Sequence, residues 1–144
     1  MIKVLYETAA TASGAGRNGR TRTADGDIDL QLVTPRELGG QGGPGANPEK
    51  LFAAGYSACF LSALQFVASQ QKVKLPAETT VTGKVGIGPR ADGSGFSLDV
   101  ALDVAVPGFD QAEAEALVAK AHAVCPYSEA TRANLDVRLT VLTA

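Results

Sequence analysis

The chain has 144 residues, and 13 basic against 15 acidic side chains give a formal charge of −2, which fits a single domain over residues 1–144 with its own core. Arg17, Arg20 and Arg22 form only a small basic cluster, which disfavours nucleic-acid binding, and no apolar N-terminal run suggests a signal peptide, which favours a cytoplasmic protein. Two cysteines are too few for a disulfide scaffold or a zinc site.

The first part of the chain predicts a three-stranded meander. Residues 2–12 and 27–33 alternate apolar and polar side chains, and residues 17–24 form a more polar strand between them. Asp25-Gly26 precedes the third strand and is a strong hairpin signal. The side chains expected on the apolar faces are Ile2, Val4, Tyr6, Ile28, Leu30 and Leu32.

A helical turn at residues 35–38 and a glycine-rich loop at residues 39–48 lead into the longest predicted element, a helix over residues 47–73. Asn47 suits the N-cap of this helix, and Pro48 suits its first position. The middle of the helix is almost entirely apolar or small, which leaves no face for water and predicts a place in a core. Charged residues in its first turn and several Gln and Ser favour burial in protein over a membrane span.

Two long alternating segments follow the helix. They cover residues 79–89 and 96–106, and the turn at residues 90–95 joins them as a second hairpin. Residues 135–142 alternate again and predict a final strand. The side chains expected on one face of that strand are Leu135, Val137, Leu139 and Val141.

An amphipathic helix lies between the second hairpin and the final strand. It begins at a capping box formed by Asp110 and Glu113, and Pro126 ends or bends it. Residues 127–133 add a further helical turn or two. The apolar positions at helical spacing are Ala114, Leu117, Val118, Ala121 and Val124. The order β-β-β-α-β-β-α-β predicts an α+β fold with antiparallel sheet and segregated helices.

Few residues are candidates for chemistry. Cys59 lies in the middle of the long helix, where a thiol is either a small hydrophobe or a protected reactive sulfur. His122 is the only histidine, and we expect an ordinary, partly exposed helix residue. A cysteine or serine hydrolase with a histidine base is therefore poorly supported. The glycine-rich loop matches neither a P-loop nor a dinucleotide fingerprint.

A reactive thiol in an apolar helix needs a nearby cation. Burial raises the pKa of a thiol, and a guanidinium held by a carboxylate opposes that effect. Arg17 and Glu49 are candidates for this pair, although isolated Arg and Glu side chains usually lie on the solvated surface. Ten residues separate Glu49 from Cys59, about 15 Å along one straight helix. Either an extended arginine bridges part of this gap or the same helix of a second subunit supplies Glu49, and we favour a dimer with two composite sites.

Four stretches of the sequence resemble the organic hydroperoxide resistance (Ohr) proteins of the OsmC-like superfamily. They are GRNGR at 16–20, TPRELGGQGGPGANPEKLFAAGYSACF at 34–60, LPAETTVTGKVGIG at 75–88 and AHAVCPYSEATRANLDVRL at 121–139. Together they span nearly the whole chain in the family's order, and VCPYS is typical of the Ohr branch. A small insertion relative to the family falls in the turn at residues 90–95.

The resemblance implies an OsmC-like fold, an intertwined homodimer and a thiol-dependent peroxidase that reduces organic hydroperoxides to alcohols. Cys59 matches the family's peroxide-attacking cysteine and Cys125 its resolving cysteine, which implies a Cys59–Cys125 disulfide in the cycle. Arg17 matches the arginine that activates the thiolate, and Glu49 matches its carboxylate partner. The implied reductant is a dihydrolipoamide-type dithiol carried on a lipoylated protein. No metal, flavin or nucleotide is implied.

Other interpretations stay open. An OsmC-type peroxidase has a different peroxide preference, a redox sensor uses the same disulfide as a signal without turnover, and inert core thiols react with nothing. The resemblance also leaves open which aromatic side chains line an alkyl-binding pocket, and we expect at least half of them to pack in the core instead. The candidates are Phe52, Tyr56, Phe60, Phe66 and Tyr127.

Overall fold

The computed structural model describes residues 1–144, which form two compact units, Met1–Leu51 and Phe52–Ala144. Each unit carries one three-stranded sheet, and the helices confirm the α+β class. The boundary between the units falls inside the longest helix, α1 (Pro48–Gln70). A single domain over the whole chain stays a prediction.

The first unit contains the predicted meander. Its strands are β1 (Ala10–Ser13), β2 (Arg20–Thr23) and β3 (Asp29–Gln31), and they pair antiparallel in the order β1-β2-β3. The turn between β2 and β3 uses Gly26 at φ 80°, in the left-handed region that favours glycine, as the Asp-Gly pair predicts.

The prediction of a strand over residues 2–12 is wrong for most of its length, because β1 begins only at Ala10. The side chains of Ile2, Val4 and Tyr6 are 84%, 62% and 79% exposed. Alternation gives this segment an apolar face, but no strand within the first unit pairs with it. Ile28 is also exposed, and of the six side chains expected on the apolar faces only Leu32 is buried.

The second unit contains the predicted hairpin. β4 (Thr80–Pro89) and β5 (Phe96–Ala105) pair antiparallel from Thr80 opposite Ala105 to Pro89 opposite Phe96. The last strand, β6 (Val137–Leu142), pairs with β5 in parallel, whereas we expected antiparallel sheet throughout. A parallel neighbour requires a long crossover, and two helices between β5 and β6 provide it.

The helix α1 starts as predicted, because the Asn47 side chain accepts a hydrogen bond of 2.8 Å from the Lys50 N–H. One side of α1 lies in the core of the second unit. The buried side chains are Tyr56, Phe60, Ala63, Leu64, Val67 and Ala68. The opposite side is exposed, which the all-apolar pattern did not predict. We call it the α1 exposed face, and it consists of Ala54, Ala58, Ser62 and Phe66.

By length and composition alone α1 is also the one helix that could cross a membrane, a test that the core helix of a soluble protein passes as well.

The crossover consists of α2 (Gln111–Val124) and α3 (Pro126–Thr131). The Asp110 side chain accepts a hydrogen bond of 3.0 Å from the Glu113 N–H, which confirms the predicted N-cap. Pro126 ends α2 and is the first residue of α3, a position where the missing N–H costs nothing. Of the five predicted apolar positions on α2, all but Val124 are buried; Val124 is the last helical residue and half exposed.

Candidate active site

Two free thiols touch in the second unit. Cys59 is half-buried on α1, and Cys125 is fully buried between α2 and α3. Their sulfur atoms lie 3.7 Å apart. A disulfide requires about 2.05 Å, so this is a reduced pair in contact, close to bonding distance.

The backbone at Cys125 is fixed by both neighbouring helices. Its N–H donates to the Ala121 carbonyl at 2.8 Å, and its own carbonyl accepts from the Glu129 N–H at 2.9 Å. Cys125 therefore closes α2 and caps α3 at the same time. This arrangement follows from the Cys-Pro sequence, because Pro126 cannot continue α2.

Burial raises the pKa of the Cys59 thiol, which is the largest influence on it. A hydrogen bond from the Tyr127 backbone N–H opposes this rise, and the neighbouring Cys125 adds to it. Within the second unit the net effect favours the protonated thiol. A thiolate at neutral pH therefore requires a further positive group.

The first unit contains a two-pronged ion pair between Arg17 and Glu49. Arg17 donates hydrogen bonds of 2.8 and 2.7 Å to the two carboxylate oxygens. Glu49 lies in the first turn of α1, where the helix dipole also favours a negative charge. The hydrogen bonds from Arg17 lower the pKa of Glu49 below its ordinary range, and those to Glu49 raise the pKa of Arg17. The structure thus brings Arg17 and Glu49 together in the first unit, and Cys59 and Cys125 together in the second unit.

The turn that carries Arg17 depends on glycine. Arg17 lies in a single 3-10 turn, Gly16–Asn18, rather than in the polar strand expected for residues 17–24. A Cβ at Gly19 would lie 2.0 Å from the Ser13 carbonyl oxygen, closer than any side chain tolerates. The GRNGR motif therefore holds the Arg17 backbone in a compact turn, and the two-pronged bond then orients the guanidinium.

Sequence reasoning missed a second polar cluster beside the thiols. His122 is half-buried, and its Nδ1 atom lies 2.8 Å from the Ser128 hydroxyl. That hydroxyl also lies 2.8 Å from the hydroxyl of Tyr56, and Tyr56 and Ser128 are fully buried. The one sequence signal for this cluster is its spacing, since each member lies three residues from a cysteine.

A cavity of about 670 Å³ lies in the second unit, and its wall combines apolar and polar side chains. Phe52 and Tyr127 line it, whereas Tyr56 and Phe60 are buried in the core and Phe66 is exposed elsewhere. Two of the five aromatic candidates therefore line this cavity. No group of three or more His, Cys, Asp or Glu side chains is arranged to hold a metal ion.

The chain thus combines a mixed α+β fold with two free thiols that are in contact beside a long helix. The family model for OsmC-like proteins matches residues 39–140, and the chain belongs to the OsmC/Ohr family. The resemblance stated from the sequence motifs is thereby confirmed.

Several relatives of the chain are named organic hydroperoxide resistance proteins. The chain is 57% identical over 139 residues to the organic hydroperoxide resistance protein of Xanthomonas axonopodis pv. citri, with 96% of each chain covered. A crystal structure of an organic hydroperoxide resistance protein from Legionella pneumophila matches with a TM-score of 0.91 and 53% identity, over 98% of this chain and 100% of that chain. One from Elizabethkingia anophelis matches with a TM-score of 0.92 and 51% identity, over 99% and 100%.

Proposed function

We propose that this protein is a cysteine-based peroxidase that reduces organic hydroperoxides to alcohols. The observation that carries the proposal is the contact of 3.7 Å between the sulfurs of Cys59 and Cys125. Two reduced thiols at this distance suit a cycle between dithiol and disulfide. The names of the relatives supply the substrate class, and the aromatic side chains in the cavity wall are consistent with an alkyl group.

The cycle begins with the Cys59 thiolate, which attacks the terminal oxygen of the hydroperoxide. The O–O bond breaks, the alkoxide takes up a proton and leaves as alcohol, and Cys59 becomes a sulfenic acid. The sulfur of Cys125 then attacks the sulfenic sulfur, the S–O bond breaks, and the oxygen leaves with the Cys125 proton as water. The product is a Cys59–Cys125 disulfide.

Arg17 and Glu49 serve the first step in this proposal. Burial raises the pKa of Cys59, so a guanidinium is needed to favour the thiolate. The same charge stabilises the alkoxide as the O–O bond breaks. Glu49 is a positioning residue, because its two hydrogen bonds hold the Arg17 side chain in one orientation.

The remaining partners complete the proposal. An external dithiol such as dihydrolipoamide, carried on a lipoylated protein, reduces the disulfide by exchange. The working form is a homodimer, because the α1 exposed face leaves apolar surface uncovered in one chain. The location is the cytoplasm, where reduced thiols persist.

The first experiment counts thiols in the reduced protein after one equivalent of tert-butyl hydroperoxide, with hydrogen peroxide in parallel. We expect fast loss of both thiols with the organic peroxide and recovery with dihydrolipoamide but not with glutathione. A preference for hydrogen peroxide would favour an OsmC-type peroxidase. One oxidation without turnover in excess peroxide and dithiol would identify a sensor, and two persistent thiols would overturn the proposal.

A further inference from the structure

Three polar groups in the second unit, two of them fully buried and one half-buried, take no part in the proposed cycle. They are the Tyr56 hydroxyl on α1, the Ser128 hydroxyl on α3 and Nδ1 of His122 on α2. The two contacts that join them are both 2.8 Å long. Buried polar groups that satisfy one another in this way rigidify the elements that carry them.

The direction of these hydrogen bonds depends on the charge and the tautomer of the histidine. Burial lowers the pKa of His122, and the nearby Arg132 lowers it further, so the ring is neutral at pH 7. A neutral imidazole accepts through one ring nitrogen. If that nitrogen is Nδ1, Ser128 donates to it and accepts from the Tyr56 hydroxyl; in the other tautomer Nδ1–H donates to Ser128, and Ser128 donates to the Tyr56 hydroxyl. The Ser128 hydroxyl joins the other two groups in either case.

The position of the three groups relates them to the thiols. Tyr56 lies three residues before Cys59, His122 lies three residues before Cys125, and Ser128 lies three residues after it. Three residues are about one helical turn, so each group is a near neighbour of a cysteine on its own or the adjoining helix. The cluster therefore ties the helix of Cys59 to both helices that flank Cys125.

We infer that Ser128 is a positioning residue for disulfide formation, whose hydroxyl holds Cys125 against Cys59 by joining Tyr56 to His122. The inference deepens the proposed function and rests on it for the sulfenic acid step. In that step the two sulfurs, 3.7 Å apart, must close to about 2.05 Å as the S–S bond forms and water leaves. Because Cys125 caps α3, a helix that is held in place keeps the distance that its sulfur must move towards Cys59 small.

The test measures how strongly the protein favours its own disulfide, in glutathione buffers of known composition. The equilibrium gives the effective concentration of Cys125 at Cys59, and it needs no peroxide. We expect Ser128→Ala to lower this quantity about tenfold, the scale of one buried hydrogen bond. Tyr56→Phe keeps the ring and removes only the hydroxyl, so it carries the same expectation if Ser128→Ala does not fold.

Histidine variants separate positioning from general stability. His122→Asn keeps an amide close to the place of Nδ1 that can accept from Ser128 or donate to it, and we expect it to retain the effective concentration within about threefold, whereas His122→Phe loses it like Ser128→Ala. Ser57→Ala is the matched control, because its hydroxyl bonds only to the Ala54 carbonyl within α1. After one equivalent of tert-butyl hydroperoxide, Ser128→Ala should also accumulate a Cys59 sulfenic acid that dimedone traps.

Each outcome decides one point. A wild-type effective concentration in Ser128→Ala, with only the free energy of unfolding reduced, would mean that the hydroxyl is merely structural, and the inference would be wrong. A loss in His122→Asn as large as in His122→Phe would also contradict it. If hydroperoxides leave wild-type thiols intact while the glutathione results hold, the proposed function fails and the positioning role stands.

Discussion

The sulfur atoms of Cys59 and Cys125 lie 3.7 Å apart, although 66 residues separate them in the sequence. Local chain geometry cannot create this contact. It exists because α1 packs in the core of the second unit beside the junction of α2 and α3, and because Cys125 occupies that junction. Cys59 is half-buried and Cys125 is buried. In the proposed cycle Cys59 therefore contacts the substrate, and Cys125 contacts only Cys59.

This asymmetry predicts different fates for two serine variants. Cys59→Ser should abolish turnover, because it removes the proposed nucleophile. Cys125→Ser should still consume one equivalent of peroxide and then stop as a sulfenic acid, because no second thiol displaces the oxygen. Mass spectrometry after dimedone trapping measures both results. Equal loss of peroxide consumption in the two variants would contradict the assigned roles.

The Arg17 side chain should control the first step. Arg17→Ala should slow the reaction with tert-butyl hydroperoxide at pH 7 by about 100-fold, the scale for losing one donor to a developing oxyanion. The pH midpoint of Cys59 alkylation should also move upwards, because burial already raises the pKa of this thiol and the variant lacks the guanidinium that we propose opposes this rise.

Arg20 provides a matched control within the same unit. It also forms a two-pronged pair, with Asp29, but both side chains lie on the exposed surface of the β2–β3 sheet. Arg20→Ala should therefore leave the rate and the alkylation midpoint unchanged. If Arg20→Ala changes the rate and the alkylation midpoint as much as Arg17→Ala does, the change in net charge, and not the position of Arg17, causes the effect.

Glu49 should make the stability of the protein depend on acid pH. Its pKa is lowered in the folded state, chiefly by hydrogen bonds from Arg17, so its stabilising effect is present above the ordinary value of 4.5 and is lost as pH falls through the lower folded value. Arg17 is 39% exposed, which limits the contribution of the pair to about 1 kcal/mol. The free energy of unfolding of Glu49→Gln at pH 7 should therefore be lower than that of wild type by this amount.

Urea unfolding from pH 7 to pH 3 measures this effect. The difference in unfolding free energy between wild type and Glu49→Gln should shrink below about pH 4.5, where the carboxylate of the unfolded chain takes up its proton. Glu37→Gln removes an exposed carboxylate that forms no ion pair, and it should show no such difference. A difference for Glu49→Gln that grows towards pH 3 would have the wrong sign.

Features that depend on neighbouring residues were predictable from the sequence. The caps at Asn47 and Asp110, the Asp-Gly turn and the break at Pro126 all appear where the residues place them. In each case the decisive hydrogen bond or steric clash lies within a few residues, so the pattern contains the whole cause.

Features that depend on distant packing were not predictable. The contact between Tyr56 and Ser128 spans 72 residues, and neither side chain carries a signal for the other. The parallel pairing of β6 with β5 follows from how the crossover helices pack, which strand alternation does not encode. Alternation also failed at residues 2–12, because an apolar face forms a strand only where another strand pairs with it.

The α1 exposed face should mediate the proposed homodimer. Phe66 is 56% exposed, and Phe66→Glu would bury a charge at any interface formed there, which is costly without a partner. We expect wild type to sediment as a dimer and Phe66→Glu as a monomer or a much weaker dimer. Ala112→Glu makes the same charge change on the exposed side of α2 and should remain dimeric. A monomeric wild type at micromolar concentration would contradict the homodimer.

Gly83 should be required for the packing of β4 against α1. A Cβ at this position would lie 3.0 Å from the Ala53 carbonyl oxygen and 3.4 Å from its Cα, both backbone atoms that move only with the helix. Gly83→Ala should therefore lower the free energy of unfolding by about 1–2 kcal/mol, the scale of a small overpacking. Gly88 lies on the same strand, and a Cβ there would meet no atom within 4 Å beyond its chain neighbours. Gly88→Ala should therefore be neutral or gain about 0.5 kcal/mol by restricting the unfolded chain. Urea denaturation of both variants measures the contrast, and equal effects would mean that strand conformation, not contact with α1, determines the need for glycine.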